Sequence, residues 1–178
     1  SLIAFTLTAN VFAEGSQGSP NATAAFLKNE LKGGLKFNGV GNMFAGHYGL
    51  LIVAENDGSL VAIDTRHTGK FTTVKPIANL GAKVAGALGT TTEKVTINDL
   101  KANPETGTVY ISVRRSDGIS AILTLDAEPP KLAALNTAKL NWVRVKLADK
   151  LRISRISAIG LAGNRVLAAG QSNDAFRS

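Results

Sequence analysis

The chain has 178 residues, 44% of them hydrophobic and 19% charged, enough apolar mass for a sizeable core. It has no cysteine, which excludes disulfides, zinc–thiolate sites and covalently attached c-type haem on this segment. Lys and Arg outnumber Asp and Glu by 20 to 13, for a net charge of +7. These charges are scattered, with no dense basic run or arginine-rich helix, so no nucleic acid partner is expected. The densest stretch, 139–155, alternates basic with apolar residues. It reads as the wet side of strands, and a patch for an anionic partner is the alternative.

Residues 2–13 are mostly apolar and uncharged, and Val11 and Ala13 stand where a leader peptidase reads small residues. Residues 1–13 are therefore read as the remnant of a secretory signal peptide lacking its basic start, which predicts a periplasmic or secreted location. A buried first strand is the alternative. The run is too short for a transmembrane helix. Residues 14–34 read as a linker, with a candidate short helix from Asn21 to Leu31 capped by Asn21 and stopped at Gly33-Gly34.

From residue 35 onward a three-part pattern recurs. Its copies open at Val40, Ile97 and Ile156, so the starts lie 57 and 59 residues apart. Each copy begins with an apolar inner stretch. A turn follows, at His47-Tyr48-Gly49, Asn103-Pro104-Glu105-Thr106-Gly107 or Gly163-Asn164. Next comes a β-rich strand, Leu50–Ala54, Val109–Val113 or the stretch from Val166. Asp57-Gly58 and Asp117-Gly118 are read as two-residue hairpin turns of the primed type. The strands that follow are Leu60–Ile63 and Ala121–Leu125, with outer strands expected at Phe71–Val74 and Trp142–Leu147. Between the first two copies, residues 79–95 carry helical spacing, with Asn79 at the start, Gly89 as a stop and a second turn near Thr91.

A period of this size marks stacked supersecondary units. The expected fold class is all-β: a partial β-propeller spanning 35–178, two to three blades of a larger ring, with a short helical insertion near 79–95. A closed ring of six or seven such units would take roughly 350–400 residues. The chain is thus expected to be the N-terminal half of a longer protein.

The stretches Leu50-Leu-Ile-Val-Ala-Glu-Asn-Asp-Gly-Ser-Leu-Val-Ala-Ile-Asp-Thr65 and Ile97-Asn-Asp-Leu-Lys-Ala-Asn-Pro-Glu-Thr-Gly-Thr-Val-Tyr-Ile-Ser-Val113 resemble exported bacterial β-propeller proteins of the NHL/YVTN type. The middle copy fits best. The first has Met43-Phe-Ala-Gly-His-Tyr-Gly49 where that family carries a Pro-Asp-Gly phrase, and the third has Ala158 in place of Asp. The resemblance implies a fold and an exported location, and no particular reaction.

Asn98-Asp99 is the one pair with a claim on chemistry. It resembles the Asn-Gly-Leu-Ala phrase of propeller lactonases, with Asp99 in place of Gly, and by that resemblance it would supply oxygen ligands to Ca²⁺. The alternative is that Asn98 and Asp99 bind backbone groups and hold blades together. Asn42 and Ser157 stand at the equivalent starts. His47 and His67 lack any paired metal-ligand spacing and read as surface residues. Asp57 and Asp117 read as turn residues, and Ser172-Asn173-Asp174 as a polar turn or a loop ligand cluster. No Gly-x-Ser-x-Gly elbow occurs, and Gly81, Gly86 and Gly89 make no phosphate loop. The functional expectation is an exported binding or scaffold module offering its channel face or rim to a small molecule or protein. The alternative is a propeller enzyme, a metal-dependent lactonase-like hydrolase or a quinoprotein-like oxidoreductase.

Overall fold

The structure is a computed structural model that describes residues 2–7, 27, 29–127, 130–147, 153–162 and 165–172. The Asn21 cap and most of its candidate helix, the Gly163-Asn164 turn and Asn173-Asp174 lie outside the described residues.

The described chain is mostly β, in three antiparallel sheets that stay open. The first copy builds β3 (Met43–Ala45), β4 (Leu50–Ala54) and β5 (Ser59–Asp64). The second builds β6 (Val95–Ala102), β7 (Val109–Arg115), β8 (Ser120–Ala127) and β9 (Pro130–Ala134). The third builds β11 (Ile153–Ala162) and β12 (Arg165–Ser172). Around them lie β1 (Leu2–Leu7), β2 (Leu31–Lys32) and β10 (Asn141–Lys146). The sheet orders are β2-β10-β5-β4-β3, β6-β7-β8-β9 and β1-β12-β11. Leu2–Leu7 is a strand here, with Leu2 opposite Gln171 and Leu7 opposite Val166.

The first-copy sheet lies in the middle. Side chains alternate across β4, so Leu51 and Val53 turn to one face while Leu50, Ile52 and Ala54 turn to the other. The first set joins Met43, Val61, Ile63 and Trp142 in a core completed by Tyr110 and Ile122 of the second sheet. The second set packs with Leu60 and Ala62 against Ile156, Val166 and Ala168 of the third. A strand buried on both faces reads as an unbroken apolar run, which is why Leu50–Ala54 lacks alternation. The outer face of the second sheet, with Ile111, Val113 and Leu123, is covered by Val84 of helix α1 (Leu80–Ala87). That cover explains the stacking order. The third copy cannot lie against the second where α1 already sits, and it packs on the free face of the first.

The helix expected in 79–95 is present, followed by a 3₁₀ turn at Thr92–Lys94. Asn79 starts it through its backbone, in the left-handed region at φ 56, and its side chain makes no cap bond.

Three expectations need correction. Phe71–Val74 is not a strand. Thr72 N–H donates to Thr106 O at 3.0 Å, so this stretch is held against the second-copy turn. The outer strand at Trp142 is real but joins the first sheet, with Asn141 opposite Asp64 and Lys146 opposite Ser59. It goes there because Trp142 completes the core of that sheet and donates from Nε1 to Gly33 O at 2.8 Å. The Asp-Gly hairpins, finally, use three-residue loops. Glu55 N–H donates to Ser59 O at 2.9 Å and Gly58 N–H to Glu55 O at 3.2 Å. Of the loop residues only Gly58 has positive φ, at 80. Arg115 through Ile119 repeats this arrangement, with Gly118 at φ 91. Each is a type I turn closed by a left-handed glycine. The primed geometry appears instead at Tyr48-Gly49, where both residues have positive φ and Leu50 N–H donates to His47 O.

Candidate functional site

Each copy carries a bulge at the same point of the repeat, within β6 and β11 and just ahead of β3. In β6 the pairing register shifts between Ile97 and Asp99, leaving Asn98 as the extra residue. In β11 it shifts between Ile156 and Ala158, leaving Ser157. Ahead of β3, Gly41 N–H donates to Ala54 O, and Ala54 N–H donates to Asn42 O, so Gly41 and Asn42 together oppose Ala54. A bulge bends its strand and re-aims the side chains beside it. Here those side chains cross between sheets. Asn98 Nδ2 donates to Val40 O at 2.7 Å. Asn42 Nδ2 donates to Ile156 O at 3.3 Å and also to Ser157 O. Ser112 Oγ, opposite the β6 bulge, donates to Gly41 O at 2.8 Å.

Asp99 serves the same end. Its Oδ2 accepts from Met43 N–H at 2.8 Å, and its Oδ1 accepts from Leu100 N–H at 2.8 Å and from Lys101 Nζ at 3.1 Å. This donor set does not fit Ca²⁺, which needs six to eight oxygens. Both Asp99 oxygens accept from N–H donors, one of them the Lys101 ammonium. Among the described residues, no group of three or more His, Cys, Asp and Glu side chains could hold a metal. Asn98 and Asp99 thus take the sheet-tying role, as does Asn42, while Ser157 Oγ donates within its own sheet to Ala169 O at 3.1 Å.

The three strand starts leave a cleft between them, about 380 Å³ in volume. Gly41, Asn42 and Asn98 line it from the bulges, Glu55 and Asn56 from the β4–β5 turn, Arg114 from β7 and Arg155 from β11. Glu55 has no exposed side-chain surface, yet every oxygen is matched. Oε1 accepts from Asn38 N–H at 2.7 Å and Arg144 Nη2 at 3.0 Å, and Oε2 accepts from Arg144 Nε at 2.7 Å. The Arg144 guanidinium also donates to Lys36 O at 2.6 Å and lies 5.1 Å from the Trp142 ring centroid. Arg144, expected on the wet side of its strand, is the counter-ion of a buried acid. The available signal was Glu55 itself, a charge directly following five buried apolar residues.

A second polar cluster joins the first and second copies. His67 stacks on the fully buried Tyr110, with ring centroids 5.7 Å apart and planes 5° from parallel. The Tyr110 hydroxyl lies 3.0 Å from both His67 Nδ1 and Thr65 Oγ1, and Thr65 Oγ1 donates to Gly49 O at 2.8 Å. One assignment satisfies every group: His67 Nδ1–H donates to Tyr110, whose hydroxyl donates to Thr65. Asn103 Nδ2 donates to His67 O at 2.8 Å. His67 is therefore half-buried and structural, correcting its reading as a surface residue. His47 is exposed as expected, 3.5 Å from Glu105 Oε1.

Burial lowers the His67 pKa below its ordinary value, and the negative charge of Asp126 offsets part of that. The unfolded chain then binds the proton more readily than the folded one. Stability is full above the ordinary imidazole value of about 6.5. It is lost as pH falls from there through the folded-state pKa. Urea midpoints of the wild type should drop on going from about pH 7.5 to 5.5. His67→Phe, which keeps the stack on Tyr110, should flatten this part of the profile, and an unchanged slope would assign the effect elsewhere.

No protein-family model, curated protein or solved structure matches this chain. No helix among the described residues is long and apolar enough to cross a membrane.

Proposed function

We propose that the chain is an exported β-propeller binding or scaffold module of the NHL/YVTN kind, and that its ligand, a small molecule or a protein segment, sits in the cleft where the inner strands start. The observation that carries this reading is the cleft itself. Its volume falls within the range of small-molecule sites, and it is lined mainly by polar and charged side chains, Asn42, Asn56, Asn98, Arg114 and Arg155 among them. The equivalent bulges at Gly41, Asn98 and Ser157 support the blade reading, as does the face-to-face packing on the first sheet. The uncharged start ending at Val11 and Ala13 is the sequence feature that favours export, while the pairing of Leu2–Leu7 with β12 favours the first-strand alternative.

An NMR screen of the ¹⁵N-labelled chain against a mixed set of metabolites and short peptides tests the binding reading. Shifts are expected to cluster at Gly41, Asn56, Asn98 and Arg155. Asn56→Trp places a large ring at the cleft wall and should abolish them. Shifts that map elsewhere, or survive Asn56→Trp, would sink the assignment.

A further inference from the structure

The cleft carries unbalanced charge. Its single lining acid, Glu55, is neutralised by Arg144 at 2.7 Å with all its oxygens in use. Arg114 and Arg155 line the same cleft, both exposed. Among the described residues, neither guanidinium has an ion-pair or hydrogen-bond partner. Their neighbours show the contrast. Arg115, adjacent in β7, is paired with Asp117 Oδ2 at 2.5 Å, and Arg144 is paired with Glu55. The Asn56 side-chain amide also lacks an internal partner among the described residues. The cleft thus offers two free planar forks and one free amide, and its only carboxylate is already spent.

A guanidinium presents parallel N–H donors that match the oxygens of a carboxylate or phosphate. Two of them in a concave site, with the nearby acid cancelled, favour an anion over a neutral or cationic guest. We infer that the cleft takes a small organic anion whose carboxylate or phosphate oxygens are held by Arg114 and Arg155, with Asn56 binding a neutral part of the molecule. This rests on the binding reading of the cleft and supplies its ligand class.

Calorimetric titration of the full chain with citrate, with inorganic phosphate and with glucose tests it. Citrate or phosphate is expected to bind, and glucose is not. Arg114→Gln and Arg155→Gln should each weaken anion binding at least about tenfold, the loss of one charge-assisted contact. Both residues are exposed, so the melting temperatures of the unliganded variants should stay close to wild type, which separates lost contacts from lost fold. Raising sodium chloride from about 50 to 300 mM should weaken the binding further. Binding of citrate but not phosphate would assign a carboxylate ligand, and the reverse a phosphate. No binding of either anion would overturn the inference, as would full affinity in both arginine variants. If neutral compounds still shift the cleft resonances, the binding reading survives that failure. If anions bind Asn56→Trp as well as wild type, both fall.

Discussion

Arg144→Met is expected to lower the unfolding free energy by about 3–5 kcal/mol, the cost of stranding a buried charge. Glu55 is wholly enclosed, and without Arg144 its carboxylate keeps only the Asn38 N–H. Glu55→Gln should cost less, because the Arg144 side chain is 28% exposed and can turn its charge to water. The double variant Glu55→Gln/Arg144→Met should recover part of the loss, since neither charge is then left alone. Urea unfolding of the three variants measures this as a coupling energy. Purely additive losses, or a cost below about 1 kcal/mol for Arg144→Met, would show that the pair behaves like a surface contact. The same variant has a second consequence. Freeing the Glu55 carboxylate places a negative charge at the cleft wall, so citrate or phosphate should bind Arg144→Met more weakly than wild type.

Gly107→Ala is expected to cost roughly 3 kcal/mol, and Gly118→Ala only about 1–2 kcal/mol. Both glycines have positive φ, 76 and 91, so both carry the strain of a left-handed L residue. The surroundings separate them. A Cβ on Gly118 meets nothing within 4 Å, whereas one on Gly107 comes to 2.2 Å from Thr72 O. The backbone of 71–74 would have to move, and the Thr72 N–H to Thr106 O bond would be lost with it. Asn103 raises the stakes, because its Oδ1 holds the turn through Glu105 N–H and Thr106 N–H while its Nδ2 reaches His67 O. Equal losses in the two variants, read from chemical denaturation, would mean that the close approach at Thr72 carries no energy.

The local elements were legible because their causes are local. Leu50–Ala54 and Val109–Val113 fall within strands, the glycines of both Asp-Gly pairs close hairpins, and the stretch from residue 79 contains a helix. These follow from β propensity, from turn residues able to take positive φ, and from apolar spacing. The turn type was less legible. Asp-Gly permits both a primed two-residue turn and a three-residue loop, and the ladder around Glu55 and Ser59 selects the second. The site was legible only in part. Asn98 and Asp99 stand out in the sequence as a polar pair between apolar residues, but whether they meet a cation or a neighbouring backbone depends on what lies across from them. Val40 O and Met43 N–H lie there, from a segment more than fifty residues earlier.

The sequence by itself determined the repeat. Its spacing is written in the apolar runs and turn residues, and it reappears in the structure as bulges at Gly41, Asn98 and Ser157. Only the tertiary structure decided which sheet stacks on which, that β10 returns to the first sheet, and that Glu55, Arg144, Arg114 and Arg155 share one neighbourhood. The physical reason is that strand formation needs only near neighbours along the chain, whereas faces and charges choose their partners after the sheets exist. A buried acid selects the arginine that can reach it, α1 closes one face and leaves another free, and two arginines are left beside the cleft without a counter-ion.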